Sequence, residues 1–578
     1  MNYFLATTGL SNIWDMNKDL LLIGPWCIAS QSNRSLLKGK KYTLIPSPWK
    51  PATRVKAAAD YCHNIYEELL PILAGKLNTL HGVDYPDRYW RVLTGYWLFI
   101  FVSQVYCIYK RVVHANELFP EFFTSVLPKE QCNLVSLNAL DAVDNINNDY
   151  FNLKLFSLIF ISLFPDKVSI TPYHDKVERK QIRYSRIHNL VNKMIQRMSS
   201  GNIVLSELYH VSLENIFTLA WKSRFKAFTF MDFEPELGEG THEDYSPEMR
   251  SGLELPSSSD PFGMLLSTLI PNAIPMSYVE HYHAYKSSMN DKRKNVPQIV
   301  GSAGGWLFND RFKFFAADAV ANGARIIEFQ HGGGYGLSLS IPNEEISTEK
   351  DVFFSWGWKT ENIDNIRPIP SPYLSSLKNS HSQEINNIVF VGTSVPLYDF
   401  RFDSALFPDD IYKYFNDKMF FLSSLSEEIR QSILYKPGYT EYGWGDKRFV
   451  SGIYPDIVFI EKGRLIHWLQ KAKLAVFDNA HTSYIEALTI NVPTVLYWDH
   501  DIYLMRPEAE EFFELLRAAG ILHRSPEDAA KKINEISEYP LSWWRQPDIQ
   551  EARTEFCDRF ALAREDWADE WVRTLKSL

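Results

Sequence analysis

A histidine stands against three consecutive glycines in EFQHGGGYG (328–336), directly behind the apolar stretch ARII. Glycines in such a loop let backbone N–H groups close on an anion, and they also serve any turn that needs a positive φ. Three in a row exceed what one turn needs, which favours a ligand-contacting loop built from Gly332, Gly333 and Gly334. His331 is then placed to donate to a phosphate or a leaving group; a satisfied structural histidine is the other reading. HGGG also suits an oxyanion loop. A hydrolase of that kind requires a G-x-S-x-G nucleophile turn, which the chain lacks, since GLSLS misses the last glycine. Phosphate-binding G-x-x-x-x-G-K-[ST] and dinucleotide-binding G-x-G-x-x-G strings are absent as well, which counts against kinase, ATPase and NAD chemistry.

DNAHTSYIEAL offers the clearest anion site. The apolar run LAVFD leads into Thr482 and Ser483 at an expected helix start, where free N–H groups and the helix dipole favour negative charge. Plain N-capping by the same two residues is the alternative. Glu486, one turn on, is a candidate acceptor for ribose hydroxyls, with a solvated glutamate as the plainer option. FTFMDFEPE sets Asp232 just past an apolar strand, where a carboxylate can serve as nucleophile or general base, or merely cap a turn.

Cations and aromatics come together twice. DRYWRVLTGYW puts Arg88 and Arg91 three apart on one side of a helix beside Trp90, a grip for a carboxylated sugar or else a salt-bridged, Trp-packed helix. KPGYTEYGWGDKRF combines Lys436, Lys447 and Arg448 with aromatics and glycines in what reads as a loop on the donor side. WDHD (498–501) contains a D-x-D arrangement of the metal-diphosphate kind, and HYH (281–283) a histidine pair. A three-residue match is expected by chance in a chain this long, and no third ligand stands near the histidines, so no metal is expected.

These residues need strands to carry them. NYFLATTGL, DLLLIGPWC, FKAFTFMDF, PQIVGSAGGW, ARIIEFQ, NNIVFVGTS, KLAVFD and VPTVLYWD read as strands with loops at their C-terminal ends. NDRFKFFAADAVANG reads as a helix stopped at Gly323, and helical spacing runs from about Arg54 to His114. Strand, helix, strand at this spacing implies parallel βαβ units, whose ligands sit at the C-terminal ends of strands near the point where strand order reverses. The expectation is an α/β protein: residues 1–290 as a helix-rich N-terminal Rossmann-like domain carrying Asp232, 295–535 as a C-terminal Rossmann-like nucleotide-binding domain, and 536–578 as a helical segment. The polar stretch SSMNDKRKNVP marks the linker.

Composition narrows the partners. A net charge of −10 argues against a broad nucleic-acid-binding face. The five cysteines are scattered and form no C-x-x-C pair, which fits a reducing compartment and no cysteine-built zinc site. The stretch MNYFLATTGLSNIW lacks a basic segment followed by a long apolar one, and the apolar run at 96–109 is short for a bilayer span and carries Ser103 and Gln104. A buried helix is expected there, in a cytoplasmic protein with peripheral association at the inner face of the inner membrane left open. The 16 Trp, 30 Tyr and 37 Phe fill cores, but they also suit sugar-binding surfaces.

Four blocks taken together, YFLATTGLSNIWDMNKDLLLIGPWC, DRYWRVLTGYWL, FNDRFKFFAADAVANGARIIEFQHGGGYG and HTSYIEALTINVPTVLYW, resemble a family of bacterial surface-polysaccharide transferases that includes the retaining β-Kdo transferases using CMP-β-Kdo. The resemblance implies a GT-B fold, two Rossmann-like domains facing each other across a cleft, with the donor nucleotide held mainly by the C-terminal one. It also implies double displacement through an aspartyl-sugar adduct, with Asp232 in the position of that aspartate, and transfer of Kdo to a lipid-linked O-antigen or capsule acceptor. CMP carries a single phosphate, so a helix N-terminus and basic side chains would suffice without a metal or other cofactor. The other readings kept open are a transferase for another acidic sugar or polyol phosphate, an HGGG-type hydrolase, and a non-catalytic glycan-binding protein.

Overall fold

The computed structural model describes residues 3–173, 202–225, 227–231, 233, 244–256, 260–290, 296–347, 349–361 and 363–578. The chain packs as two compact units. Unit 1 comprises Met1–Glu207, Phe228–Ile326 and Leu397–Phe402; unit 2 comprises Leu208–Ala227, Ile327–Pro396 and Asp403–Leu578.

In unit 1, β1 (Tyr3–Ala6), β2 (Asp19–Leu22), β3 (Tyr42–Leu44), β4 (Phe122–Val126) and β5 (Val168–Ile170) form a parallel sheet in the order β3-β2-β1-β4-β5. Strand order reverses between β1 and β4. β6 (Ile203–Ser206) pairs in parallel with both β7 (Phe228–Phe230) and β8 (Ile299–Ser302). The helical spacing resolves into two long helices, Thr53–His81 and Asp87–Leu118, packed on each other. Gly82 separates them: its φ of +62° turns the chain into the left-handed region, and the amides of Gly82 and Val83 return to the carbonyls of Thr79 and Asn78 at 3.4 and 3.0 Å. Asp87–Leu118 is long and apolar enough to cross a bilayer, yet most of it is buried in the unit, as expected for the run at 96–109. Gln104 is satisfied there by Asn152 at 3.3 Å.

In unit 2, β9 (Arg325–Phe329) from Ile327 onward, β10 (Val352–Ser355) and β11 (Ile366–Pro368) run parallel. β12 (Ile388–Val391), β13 (Ile433–Lys436), β14 (Val458–Phe459), β15 (Leu474–Phe477), β16 (Thr494–Tyr497) and β17 (Leu522–His523) form a parallel sheet ordered β14-β13-β12-β15-β16-β17. Counted from β12 this is 3-2-1-4-5-6, the Rossmann order, with its reversal between β12 and β15. The residues of β12, β15 and β16 are all buried, because helices cover both faces of such a sheet. Helices Pro540–Trp544, Pro547–Phe560 and Trp567–Lys576 complete unit 2, with Trp571 stacked on Phe329 at 4.6 Å.

The α/β reading therefore holds, in parallel sheets of Rossmann-like order and with a helix-rich N-terminal half. The boundary between units falls inside β9, after Ile326, rather than between 290 and 295. Residues 291–295 of the expected linker lie outside the described ones. The 536–578 segment is helical and belongs to unit 2.

Candidate functional site

The reversal point of the unit 2 sheet brings the glycine loop and the DNAHTS loop together. Val391 and Phe477 end β12 and β15 in register, so the segments 392–395 and 478–483 leave from one edge. Helix Thr482–Ile490 starts there. His481 is its N-cap, in extended backbone, and its side chain makes no capping bond to the first-turn amides. Thr482 and Ser483 thus sit inside the first turn and do not cap it. The Thr482 hydroxyl has a different partner: it accepts the Gly333 amide at 2.9 Å.

That contact explains one glycine. A Cβ on Gly333 would lie 2.9 Å from Thr482 Cα and 2.8 Å from Ile485 Cδ1, closer than packed carbons approach. None of Gly332, Gly333 and Gly334 has a positive φ; Gly336 does, at +73°, with its α-carbon against the Trp358 ring. Close approach is what Gly333 provides. Gln330 braces the loop, donating to the Gly332 carbonyl and accepting from Trp356 N and Trp358 Nε1, each at 2.8 Å. His331 is half-buried, and the Tyr335 hydroxyl lies 3.2 Å from its Nε2 and 3.3 Å from its Nδ1.

Glu486 is not solvated. It is buried one turn into the helix, where Tyr209 donates to Oε1 at 3.3 Å and the Tyr373 hydroxyl is a second partner. Burial pushes its carboxyl up to about 7, with the two hydroxyls and Arg464 pulling the other way. Near neutral pH it can accept a ligand hydroxyl or donate to one.

Lys436 ends β13 in register with Val391 and so reaches the same edge; its Nζ donates to the Ile460 carbonyl at 3.3 Å. The loop after it rests on 393–395: Thr440 N donates to Ser394 Oγ at 2.8 Å, Trp444 Nε1 to the Val395 carbonyl at 3.0 Å, and Gly438 leaves no room for a Cβ. Beneath this edge lies a group the sequence reading missed. Lys418 is fully buried, 2.8 Å from Asp446 Oδ1 and 3.7 Å from Asp478 Oδ2, and bonded to the Tyr435 phenol. The Tyr414 hydroxyl donates to Asp478 Oδ1 and accepts the Thr393 amide, both at 3.0 Å. Burial raises Asp478 to about 6 against the pull of Lys418. The signal was present: Lys418 is a lone cation before the apolar run MFFL, and Asp478 closes LAVFD.

A cavity of about 230 Å³ opens beside Asp478, at the C-terminal ends of β15 to β17. Tyr497, Trp498 and Tyr503 line it, and each carries a buried polar atom with no hydrogen-bond partner among the described residues. Tyr503 also meets the ring of His481 edge-on at 6.0 Å, which joins the cavity to the helix start. Asp499 of WDHD is tied to Lys413 at 2.8 Å and accepts the Asp501 amide at 2.8 Å, so this D-x-D shapes a turn.

Unit 1 holds the remaining candidates. Asp232 lies outside the described residues. Its neighbours are held: Met231 N donates to the Leu205 carbonyl at 3.0 Å, and Asn309 Nδ2 to the Phe233 carbonyl at 2.6 Å. Trp90 is fully buried, its Nε1 on Asn78 Oδ1 at 2.8 Å and its ring against Tyr282, so no face is left for a sugar. Arg91 forms a bidentate pair with Glu67, both bonds at 2.7 Å, while Arg88 is half-buried in the same helix. The expected sugar grip is therefore a salt-bridged, Trp-packed helix pair. In HYH, His281 pairs with Asp244 at 3.1 Å.

Among solved structures, the chain is similar to a variant of the Thermobaculum terrenum O-GlcNAc transferase, at 12% identity over 91% of this chain and 98% of that one, with a TM-score of 0.34. It is similar to the α,α-trehalose 6-phosphate synthase of Burkholderia multivorans, at 11% identity over 66% and 99% of the two chains and a TM-score of 0.35. The UDP-GlcNAc 2-epimerase of Methanocaldococcus jannaschii matches at 11% identity over 65% and 99%, also with a TM-score of 0.35. No curated protein matches the chain. A family model described as LIC12162 family transferase matches residues 3–575, essentially the whole sequence, and the chain belongs to that family of transferases.

Proposed function

We propose that the chain is a retaining glycosyltransferase of GT-B type that moves a β-Kdo residue from CMP-β-Kdo to a lipid-linked surface-polysaccharide acceptor. The observation that carries the donor side is the Gly333–Thr482 contact at the reversal point of a Rossmann-order sheet. It sets first-turn amides that the His481 side chain does not cap beside a glycine loop, an arrangement suited to one phosphate. In this reading the phosphate of CMP meets the start of helix Thr482–Ile490, His331 donates to the departing phosphate, Glu486 receives a ribose hydroxyl and Lys436 adds positive charge. The pyrimidine takes the cavity lined by Tyr497, Trp498 and Tyr503. No metal or cofactor is needed for a single phosphate held this way.

The transfer then runs in two displacements. The Asp232 carboxylate attacks the anomeric carbon of Kdo as the bond to the CMP oxygen breaks, giving an aspartyl-sugar ester and free CMP. An acceptor hydroxyl next attacks the same carbon, its proton passing to solvent as the bond to the carboxylate breaks, so that two inversions restore the β configuration. The assignment of Asp232 rests on the family resemblance and on its place just past β7. A cytoplasmic location at the inner face of the inner membrane follows from the same reading.

Transfer of another acidic sugar or a polyol phosphate would use the same anion site. The hydrolase reading is weakened because the chain lacks the G-x-S-x-G nucleophile turn that such chemistry requires. Acceptor-dependent release of CMP from CMP-β-Kdo tests the function. Intact-mass measurement after incubation with donor alone tests the chemistry: a gain of one Kdo residue on the peptide around Asp232 is expected, and an adduct elsewhere, or activity intact in Asp232→Ala, removes Asp232 from the nucleophile role.

A further inference from the structure

The cation and aromatic grip that Arg91 and Trp90 do not provide exists at the other end of the same helix pair. A pocket of about 350 Å³ in unit 1 lies between the start of helix Thr53–His81 and the last turns of Asp87–Leu118. Its walls are aromatic. The rings of Tyr61 and Tyr106 meet at 4.9 Å, and the Trp49 ring stands 6.2 Å from Tyr106 with its Nε1 turned to Asp399 at 3.3 Å. Tyr61 is anchored by its hydroxyl on Asp260 at 3.1 Å.

Three basic residues line the same space: Arg54, Lys110 and His114. Arg54 reaches only a backbone carbonyl, that of Pro48 at 3.4 Å, and neither Arg54 nor Lys110 forms an ion pair among the described residues. His114 has Glu117 3.7 Å away, and Glu117 is the one acid in the lining. In a chain of net charge −10 this is a local excess of positive charge over fixed ring faces. Rings supply apolar faces for the C–H surface of a sugar, and unpaired cations supply what a carboxylate or phosphate needs. The volume falls within the range usual for small-molecule sites.

We propose that this pocket binds an anionic saccharide, with Arg54 and Lys110 on its acidic group and Tyr61, Tyr106 and Trp49 bounding its ring. The inference rests on the glycosyltransferase reading, and it places an acidic residue of the acceptor glycan in unit 1.

Titration calorimetry of the full chain with glucuronate, glucose 1-phosphate and glucose tests it. One or both anionic sugars are expected to bind, glucose to bind at least about tenfold more weakly, and the Arg54→Gln/Lys110→Gln variant to lose about tenfold or more of the anionic affinity. The glucuronate and glucose 1-phosphate arms tell a carboxylate site from a phosphate site. Binding of neither anion, equal binding of glucose, or unchanged affinity in a folded double variant overturns the proposal; folding is read from the thermal transition, and the single variants replace the double one if that transition is lost. Adduct formation from donor alone, in the unaltered protein, separates the two readings. Its failure with saccharide binding intact sinks the donor chemistry, and the reverse result sinks this pocket.

Discussion

Arg111 and Asp399, 288 positions apart in sequence, form a buried ion pair in unit 1, with Arg111 Nε donating to Asp399 Oδ2 at 2.8 Å. Trp49 Nε1 donates to the same oxygen at 3.3 Å, and the guanidinium lies over the Trp26 ring at 4.8 Å. The segment Leu397–Phe402 follows β12 in sequence but packs as part of unit 1. The buried charge pair is one of its ties there, with Leu397 N donating to Asn147 Oδ1 at 2.6 Å as another.

Removing one partner leaves the other charge buried without this counter-charge. Arg111→Ala is expected to cost about 3–5 kcal/mol, whereas Arg111→Met with Asp399→Leu together recovers much of that loss, because an apolar pair has no desolvation penalty to offset. Urea denaturation of the three proteins measures both.

The glycine loop gives a second test. Gly333→Ala forces a methyl to within 3 Å of the Thr482 backbone and the Ile485 side chain, and such overpacking costs about 1–3 kcal/mol. The loop must shift off the helix start, so CMP release should fall more steeply than stability. Gly332→Ala, whose Cβ would meet nothing nearer than 3.7 Å, is expected to be milder in both. Thermal unfolding and a CMP-release assay compare them.

Glu486 predicts a pH dependence. Its folded-state carboxyl titrates near 7, above the unfolded value of 4.5, so the folded state holds a proton that the unfolded state has released. Stability is then lost as pH rises from about 4.5 through 7, by at most about 3 kcal/mol, and levels off above that. Asp478, raised to about 6, acts in the same direction. Glu486→Gln is expected to flatten the slope between pH 5 and 7. A slope unchanged in that variant would show that Glu486 titrates normally.

His331 is half-buried and held at its ring by Tyr335, so His331→Asn should leave the thermal transition within about 1 kcal/mol of the unaltered protein. If it donates to the departing phosphate, turnover drops by about 10²-fold or more, the usual loss for a general acid. Equal loss of turnover and of stability would instead mark it as structural.

Much of the scaffold was legible because its signals are local. YFLA, DLLL, IVFV and LAVF are short, continuous apolar runs bounded by polar or glycine-containing loops, which is how strands buried on both faces read. Strands such as Phe122–Val126 and Val352–Ser355 are less legible, since runs of four or five residues carry little pattern of their own. The division inside β9 was hidden for another reason: a polar stretch reports solvent exposure, while a domain boundary is set by which contacts close on each side.

The α/β class, the strand-end position of the HGGG and DNAHTS loops, and the helix start at Thr482 were legible in the sequence, because periodicity, apolar runs and turn residues act over a few positions. Which loops meet is settled by long-range packing. Gly333 reaches Thr482 across 149 residues, Trp90 is spent on packing, Lys418 neutralises carboxylates under the sheet edge, and Glu486 is buried among tyrosines. Those outcomes depend on burial and on partners distant in sequence, and neither is encoded in the spacing of neighbouring residues.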